Sequence, residues 1–475
     1  MEPSALVERK RRGAWYTPPE LVRFLVEHTV VPAAAERAGS TVRVLDPACG
    51  DGRVLARAVD AVGAEWVDAV GMELDVGAAI EASAGVPAAT ILVGDGRVLD
   101  AAGSFDAVLG NPPYLGQLRR STTRAGRSTL GGGPYADVAA EFLLRAVELA
   151  RPDGGRVALV LPQSILASRD TEPIRRAVGA LAAVEGIWWV GETVFDAEVH
   201  VCVLVVRRGV PQRAIRRWRG AGAVPLSSAP AAAVGGRTWS PLVADLAGVP
   251  VVALASSAGR IGDLASAVAG FRDQYYGLVP HVRDRGPGAP LVTTGLVDVG
   301  ACAWGVRPAR FAKRTFAAPR VDLDGLARSD PALAAWYRRV LRPKVLVATQ
   351  TRVLEAVADE RGAWLPSVPV IALLPDRADD LWSLAAVLTA PPVSAWALQR
   401  HVGAGLGPRT LKLSAREVLD LPLPDASPEA WAAASALLRE GDVDGCAEAM
   451  CVAYGVPASR TAALLAWWRA GAVHR

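Results

Sequence analysis

Through the first two hundred positions, short apolar runs alternate with stripes of helical spacing. Val42-Arg-Val-Leu45, Val67-Asp-Ala-Val-Gly-Met72, Thr90-Ile-Leu-Val93, Phe105 to Leu109 and Gly155 to Leu161 have the length and content of buried strands. Val54, Leu55, Ala58, Val59 and Val62, and later Phe142, Leu143, Ala146 and Leu149, recur at helical spacing between them. Strands in regular alternation with helices predict a doubly wound, mostly parallel α/β sheet. Ile187 to Val190 and His200 to Val206 bring the expected strands to seven. Ahead of the first strand, Trp15-Tyr-Thr-Pro-Pro-Glu20 opens a helix running to about Val31, with Thr17 as N-cap and Pro18 in its first turn.

The pattern changes after Arg207. Residues 212–249 are rich in Pro, Ala, Gly and Ser and read as a linker or irregular connection. From Ile261 a mixed α+β pattern begins, with basic charge clustered at Arg307, Arg310, Lys313, Arg314 and Arg320, then at Arg338, Arg339, Arg342 and Lys344. A Gly-rich basic loop is expected from Arg400 to Lys412, including Arg409. Residues 431–475 read as a short helical tail. The expected domains are 1–215, a connection over 216–250, a second domain over 251–425 and the tail over 426–475.

Composition narrows the class. At 475 residues, 51% hydrophobic, the chain can hold two or three domains with large cores. No apolar run reaches the ~20 residues of a membrane span, and the first residues lack an apolar signal core, so the cytoplasm is the default compartment. The five cysteines form no C-x-x-C pair, so neither a metal site nor a disulfide framework is expected. The net charge of +4 is too mild to name a partner by itself.

Candidate chemistry gathers where strands end. Asn111-Pro-Pro-Tyr114 follows the fourth strand, and two prolines cannot continue a sheet. In open α/β sheets the carboxyl edge is where ligands bind. The amide oxygen of Asn111 and the carbonyl of Pro112 are two acceptors able to take both protons of a planar exocyclic amino group and aim its lone pair at an electrophile. Tyr114 would offer a flat face for stacking. Asp46-Pro-Ala-Cys-Gly-Asp-Gly52 is a Gly-rich turn without the dinucleotide fingerprint, and its acids suit a ligand with a cationic end rather than a phosphate. Glu73 ends the second strand, where ribose hydroxyls are gripped in nucleotide folds. Asp95 ends the third and could accept from an adenine amino group.

Taken in order, Tyr16-Thr-Pro, Asp46-Pro-Ala-Cys-Gly, Glu73, Asp95 and Asn111-Pro-Pro-Tyr resemble the gamma-class adenine-N6 DNA methyltransferases of restriction-modification systems, over about Gly13 to Arg207. The resemblance implies a seven-stranded S-adenosylmethionine-dependent methyltransferase sheet. It implies cofactor contacts from Thr17, Asp46, Pro47, Ala48, Cys49, Gly50, Glu73, Leu74, Asp95, Gly96 and Asn111. It implies catalysis by Asn111, Pro112, Pro113 and Tyr114, with Phe195 on the other face of a flipped adenine. Leu291 to Asp298, Arg342 to Thr351 and Leu421-Pro-Leu-Pro424 are similar to phrases of the target-recognition domain of type II and IIG enzymes. On that likeness, Arg119, Arg120, Arg124 and Arg127 after Tyr114, and Arg307, Arg310, Lys313, Arg314, Arg409 and Lys412, are the expected contacts to duplex DNA.

The one D/E-x-K in the chain, Glu8-Arg-Lys10, has no Asp before it, and there is no room for a nuclease ahead of the first domain. Methylation without cleavage is therefore expected, with no metal and with any endonuclease on a separate chain. Other readings stay open: methylation of cytosine N4, of a protein glutamine or of ribosomal RNA, or a non-catalytic DNA-binding specificity subunit.

Overall fold

The computed structural model describes residues 17–37, 39–114, 131–133, 136–190, 200–254, 258–405 and 410–472. The chain divides into two compact units, Met1–Leu246 and Ala247–Arg475.

The first unit is built on one nine-stranded sheet. Its strands are β1 (Val42–Asp46), β2 (Val67–Glu73), β3 (Ala89–Val93), β4 (Ala107–Gly110), β5 (Arg156–Pro162), β6 (Ala182–Trp189), β7 (Val201–Arg208), β8 (Ile215–Arg219) and β9 (Val224–Ala229), in the order β3-β2-β1-β4-β5-β7-β6-β8-β9. β1 to β5 pair in parallel, while β7 runs antiparallel to both β5 and β6. All of β4 and β5 is buried, as central parallel strands must be when helices cover both faces. Those helices are α1 (Pro19–His28), α2 (Val30–Glu36), α3 (Arg53–Val62), α4 (Val76–Gly85), α5 (Val138–Leu149) and α6 (Glu172–Leu181). The order reverses direction between β1 and β4, so the ends of those two strands flank a crevice at the carboxyl edge.

Two expectations need correction. The stretch 216–250 is not a connection: β8 pairs in parallel with β6 and β9 closes the edge, so the sheet has nine strands rather than seven. Ile215-Arg-Arg-Trp-Arg219 hides its strand character behind three arginines. Arg217 points inward and is satisfied by the Ser227 carbonyl at 2.7 Å, the Leu242 carbonyl at 3.1 Å and Asp245 at 2.6 Å. The expected first helix is also two: α1 stops at His28, and the Thr29 hydroxyl bonds back to the Leu25 carbonyl at 2.6 Å before α2 begins.

The second unit holds a four-stranded antiparallel sheet, with Lys344–Ala348 and Ile371–Pro375 central and Ala265–Ala269 and Glu355–Asp359 outside. A second four-stranded sheet joins Val282–Asp284, Pro319–Val321, Ala289–Val292 and Leu365–Pro366. Leu291, Leu296, Phe311, Phe316, Tyr337 and Leu346 share its main core. Helices Asp380–Thr389, Pro391–His401, Pro428–Arg439, Val443–Ala453 and Ala458–Ala472 complete it. The expected basic loop from Arg400 is helical at its start: Arg400 and His401 close helix Pro391–His401, and Arg400 lies 3.8 Å over the Trp396 ring. No single helix among the described residues is long and apolar enough to cross a membrane.

Candidate active site

The motifs that stand apart in sequence meet at the carboxyl ends of β1, β2, β3 and β4. Two glycines permit it by close approach. A Cβ on Gly110, the last residue of β4, would lie 2.4 Å from an Asp46 carboxylate oxygen, and one on Gly96 would lie 2.0 Å from the Pro47 carbonyl oxygen. The Asp46-to-Gly52 turn is thereby pressed against both the Asn111 loop and the Asp95 turn.

Asp46 is 1% exposed, and its carboxylate accepts from the Ala48 amide at 3.1 Å. Burial raises its pKa to about 7, opposed by the Ala48 amide and helped by the charges of Glu73 and Asp51. Glu73 spans two loops: one oxygen accepts from the Gly50 amide at 3.0 Å, the other from the Asp75 amide at 2.8 Å. Arg53, at the start of α3, forks onto Asp51 and donates to the Thr17 carbonyl at 3.1 Å. Cys49 is buried under the turn, and desolvation pushes its thiol pKa up.

Thr17 does not cap α1. Pro18 holds the cap position with no side-chain bond, and the buried Thr17 hydroxyl instead accepts from the Asn111 side-chain amide at 3.1 Å. This leaves the Asn111 Oδ1 acceptor on the other side of the amide group. The Tyr114 hydroxyl donates to that oxygen and lies 3.4 Å from the Val160 carbonyl. Tyr114 is 8% exposed, and burial raises its pKa well above the ordinary phenol value. The ring is therefore not the open stacking face expected of it. Pro112 is buried and Pro113 half-buried in the same loop.

Asp95 also differs from expectation. Its carboxylate accepts from the Arg97 amide at 3.0 Å and from the Arg97 guanidinium at 2.7 Å, which holds it below the usual carboxylate range. Arg97 reaches on to Glu141 at 2.6 Å. The arginine two positions after Asp95 is the sequence signal for this pairing. Leu74 and Val98 stand exposed beside these turns.

Phe195, Arg119, Arg120, Arg124, Arg127 and Arg409 lie outside the described residues. In the second unit, Arg310, Lys313, Arg314 and Lys412 are exposed. Arg307 is not free: it is half-buried and bound to Asp298 at 2.7 Å. Among the described residues no cluster of three or more His, Cys, Asp or Glu could hold a metal ion.

Comparison with known proteins accords with this arrangement. Residues 1–83 match the N-6 DNA Methylase family profile, and residues 79–185 match that of the Eco57I restriction-modification methylase. The N-terminal unit is related to the DNA methylases of restriction-modification systems. Over 208 residues, 42% of this chain and 45% of its relative, it is 30% identical to the type II methyltransferase M.TthHB8I of Thermus thermophilus. Over 169 residues, 34% of this chain and 42% of its relative, it is 25% identical to the modification methylase CviBIII of Paramecium bursaria Chlorella virus NC1A. The chain thus spans less than half the length of these curated relatives. Two solved structures share the fold over nearly the whole chain. The type IIL restriction-modification enzyme MmeI, in complex with DNA, has a TM-score of 0.54 at 12% identity, covering 99% of this chain and 78% of that one. The DrdV–DNA complex has a TM-score of 0.52 at 15% identity, covering 92% and 57%.

The N-terminal unit leaves room for a ligand at the Asp46-to-Gly52 turn. Gly50 adopts φ +56°, and a Cβ there would meet nothing within 4 Å, so the turn faces open space. Glu73 and the buried Asp46 border that turn, while Asp51 is already paired with Arg53 at 2.6 Å, so the turn offers carboxylate acceptors rather than a phosphate cradle.

Proposed function

We propose that the chain is a site-specific DNA methyltransferase acting on the N6 amino group of adenine in duplex DNA, as the modification component of a restriction-modification or phage-defence system. The observation that carries the reading is the orientation of Asn111. Thr17 holds its amide nitrogen, so its oxygen is the atom offered toward an incoming amino group.

Bound S-adenosylmethionine would supply a sulfonium methyl, already a strong electrophile. Asp46, Glu73 and the Gly50 turn would bind its charged end and ribose, and the exposed Leu74 and Val98 would cover its adenine edge. Asp95 would reach that adenine by sharing its carboxylate with Arg97. Asn111 Oδ1 and the Pro112 carbonyl would accept the two N6 protons and draw the nitrogen toward pyramidal geometry. The amide oxygen has a second lone pair, so it can take this bond while the Tyr114 hydroxyl still donates. A stacking role for Tyr114 asks the ring to leave its buried position as the target base enters. Adenine is preferred to cytosine on the N-6 methylase family description.

The test is methyl transfer from labelled S-adenosylmethionine to mixed-sequence duplex DNA. Wild type should yield N6-methyladenine in one short sequence context, and Asn111→Ala should lower the rate roughly 100- to 1,000-fold. Label recovered as N4-methylcytosine, or only in protein or RNA, would sink the adenine-DNA reading.

A further inference from the structure

Apart from the crevice at β4, the first unit holds a cavity of about 170 Å³ at the carboxyl ends of β6 and β8. β5 and β7 stand between it and β4, so it is separate from the Asn111 loop. Trp188 and Trp218 are paired directly across β6 and β8 and share one face of the sheet. Helix α1 supplies the opposite wall. Its Glu20, Arg23, Phe24, Glu27 and His28 fall at i, i+3, i+4, i+7 and i+8, the spacing of one helix face. The third side is the turn from β8 to β9, where Ala223 holds φ +50°, a conformation that a side chain keeps only when its surroundings impose it. Trp188 fixes that turn by donating its indole proton to the Gly220 carbonyl at 2.7 Å.

The floor is aromatic and uncharged. The Phe24 and His28 rings stack at 3.9 Å, and Trp218 stands edge-on to both, at 5.0 and 4.8 Å. His28 Nδ1 donates to the Phe24 carbonyl at 2.9 Å, since a carbonyl can only accept, which leaves Nε2 as the acceptor of a neutral ring. Burial lowers the His28 pKa below the ordinary imidazole value, against the pull of the Phe24 carbonyl and with help from the Arg216 charge. The rim carries both signs. Glu20, Arg23 and Glu27 are exposed, and among the described residues no ion pair or hydrogen bond engages their side chains.

These features select a ligand. A cavity of about 150 Å³ takes a benzene ring, and pockets for drug-sized molecules begin at about 300 Å³, so this one suits a single small ring system. Arg23 in the rim, and Arg216 at 5.5 Å from the Trp218 ring, oppose a cation. A flat neutral ring stacks on aromatic faces instead. An imidazole acceptor, two carboxylates and one guanidinium suit an edge that bears both N–H donors and a carbonyl acceptor. We propose that this cavity binds one nucleobase, stacked against the aromatic floor with its polar edge toward Glu20, Arg23 and Glu27. The base is carried by a free nucleotide or turned out of a nucleic-acid strand.

The test uses the full chain with S-adenosylhomocysteine in excess, so that an adenosine site is already filled. Equilibrium dialysis against GMP, AMP and CMP reads the free source. GMP is expected to bind tightest, because guanine carries two adjacent N–H donors beside a carbonyl. Duplexes with one guanine facing an abasic site, compared with fully paired ones, read the strand source. His28→Ala should weaken binding about 5-fold or more, the worth of one stacked ring. Glu20→Ala/Glu27→Ala should weaken it about 10-fold, the worth of a bond to a charged acceptor, and alanine keeps the helix. Unchanged S-adenosylhomocysteine binding reports that each variant is folded, and Glu81→Ala, an exposed acid on α4, is the control. Binding in either arm that both variants weaken supports the proposal and names the source. No binding in either arm, or binding that neither variant changes, overturns it. The nucleotide arm involves no DNA, so its outcome is independent of the duplex-DNA reading above.

Discussion

Thr17 and Asn111, 94 positions apart, meet at 3.1 Å, the asparagine amide donating to the threonine hydroxyl. One short bond thereby joins the N-terminal element to the loop after β4, and it fixes the Asn111 amide with its nitrogen on Thr17 and its oxygen on the side of the Tyr114 hydroxyl. Thr17→Val keeps the shape of the side chain and removes the acceptor. It is expected to lower the single-turnover methyl-transfer rate about 3- to 10-fold, the worth of one net hydrogen bond. Thr17→Ser should recover most of the loss. A rate unchanged by Thr17→Val would show that Asn111 is oriented without it.

Glu73 bridges the Gly50 and Asp75 amides with its two oxygens. Glu73→Gln keeps one acceptor and loses the charge, whereas Glu73→Ala leaves both amides without this partner. Calorimetric titration with S-adenosylmethionine should show affinity falling in that order, about 10-fold and then about 100-fold or more, since bonds to a charged acceptor are the stronger kind. Equal affinity in all three proteins would remove Glu73 from the cofactor site.

Asp46 gives the fold a pH dependence of unusual sign. Its carboxyl is pushed up to about 7 in the folded chain from an ordinary 3.8, chiefly by burial. Between those values the folded state keeps a proton that the unfolded state has released. The group therefore favours folding most at low pH, and stability is lost as the pH rises toward 7 and levels off above it. Asp46→Asn cannot ionise. In urea melts it should gain on wild type between pH 5 and pH 8, by on the order of a few kcal/mol. Parallel pH profiles for the two proteins would mean that Asp46 is ionised throughout.

The order of strands and the positions of the motifs were legible because buried parallel strands are nearly pure apolar runs, and the crossover pattern follows from them. The contacts between motifs were not. Nothing in Thr17 tells that its hydroxyl faces Asn111 rather than the helix it precedes. Nothing in the sequence around Gly96 and Gly110 tells that they lie close against Pro47 and Asp46. Asp95 looked like a free acceptor because Arg97 could equally have pointed to solvent. β8 escaped notice because a buried arginine in a strand needs three partners distant in sequence, and a local pattern cannot display them. Charge on a strand is an equally poor guide to a nucleic-acid surface, and the second unit supplies the clearest case.

Lys344 falls in Arg342-Pro-Lys344, a basic phrase that reads as surface, yet the side chain is fully buried and its ammonium meets Asp359 at 2.5 Å. Asp359 also accepts from the Ala363 and Trp364 amides, so the pair fastens strands Lys344–Ala348 and Glu355–Asp359 to the loop that follows. Removing one partner leaves a buried charge uncompensated, at a cost of about 3–5 kcal/mol. Lys344→Met should therefore move the urea midpoint sharply downward. Lys344→Met/Asp359→Asn should recover a large part, because an asparagine oxygen can still accept from the two amides without carrying a charge. A core role and a phosphate-binding role separate on a second reading. If Lys344 only holds the core, DNA affinity measured below the unfolding transition keeps the wild-type salt slope in both variants. If it touches phosphate, the slope falls by about 1 in each. The burial of the ammonium argues for the first outcome, because a charge committed to Asp359 inside the sheet has no line of approach to a phosphate.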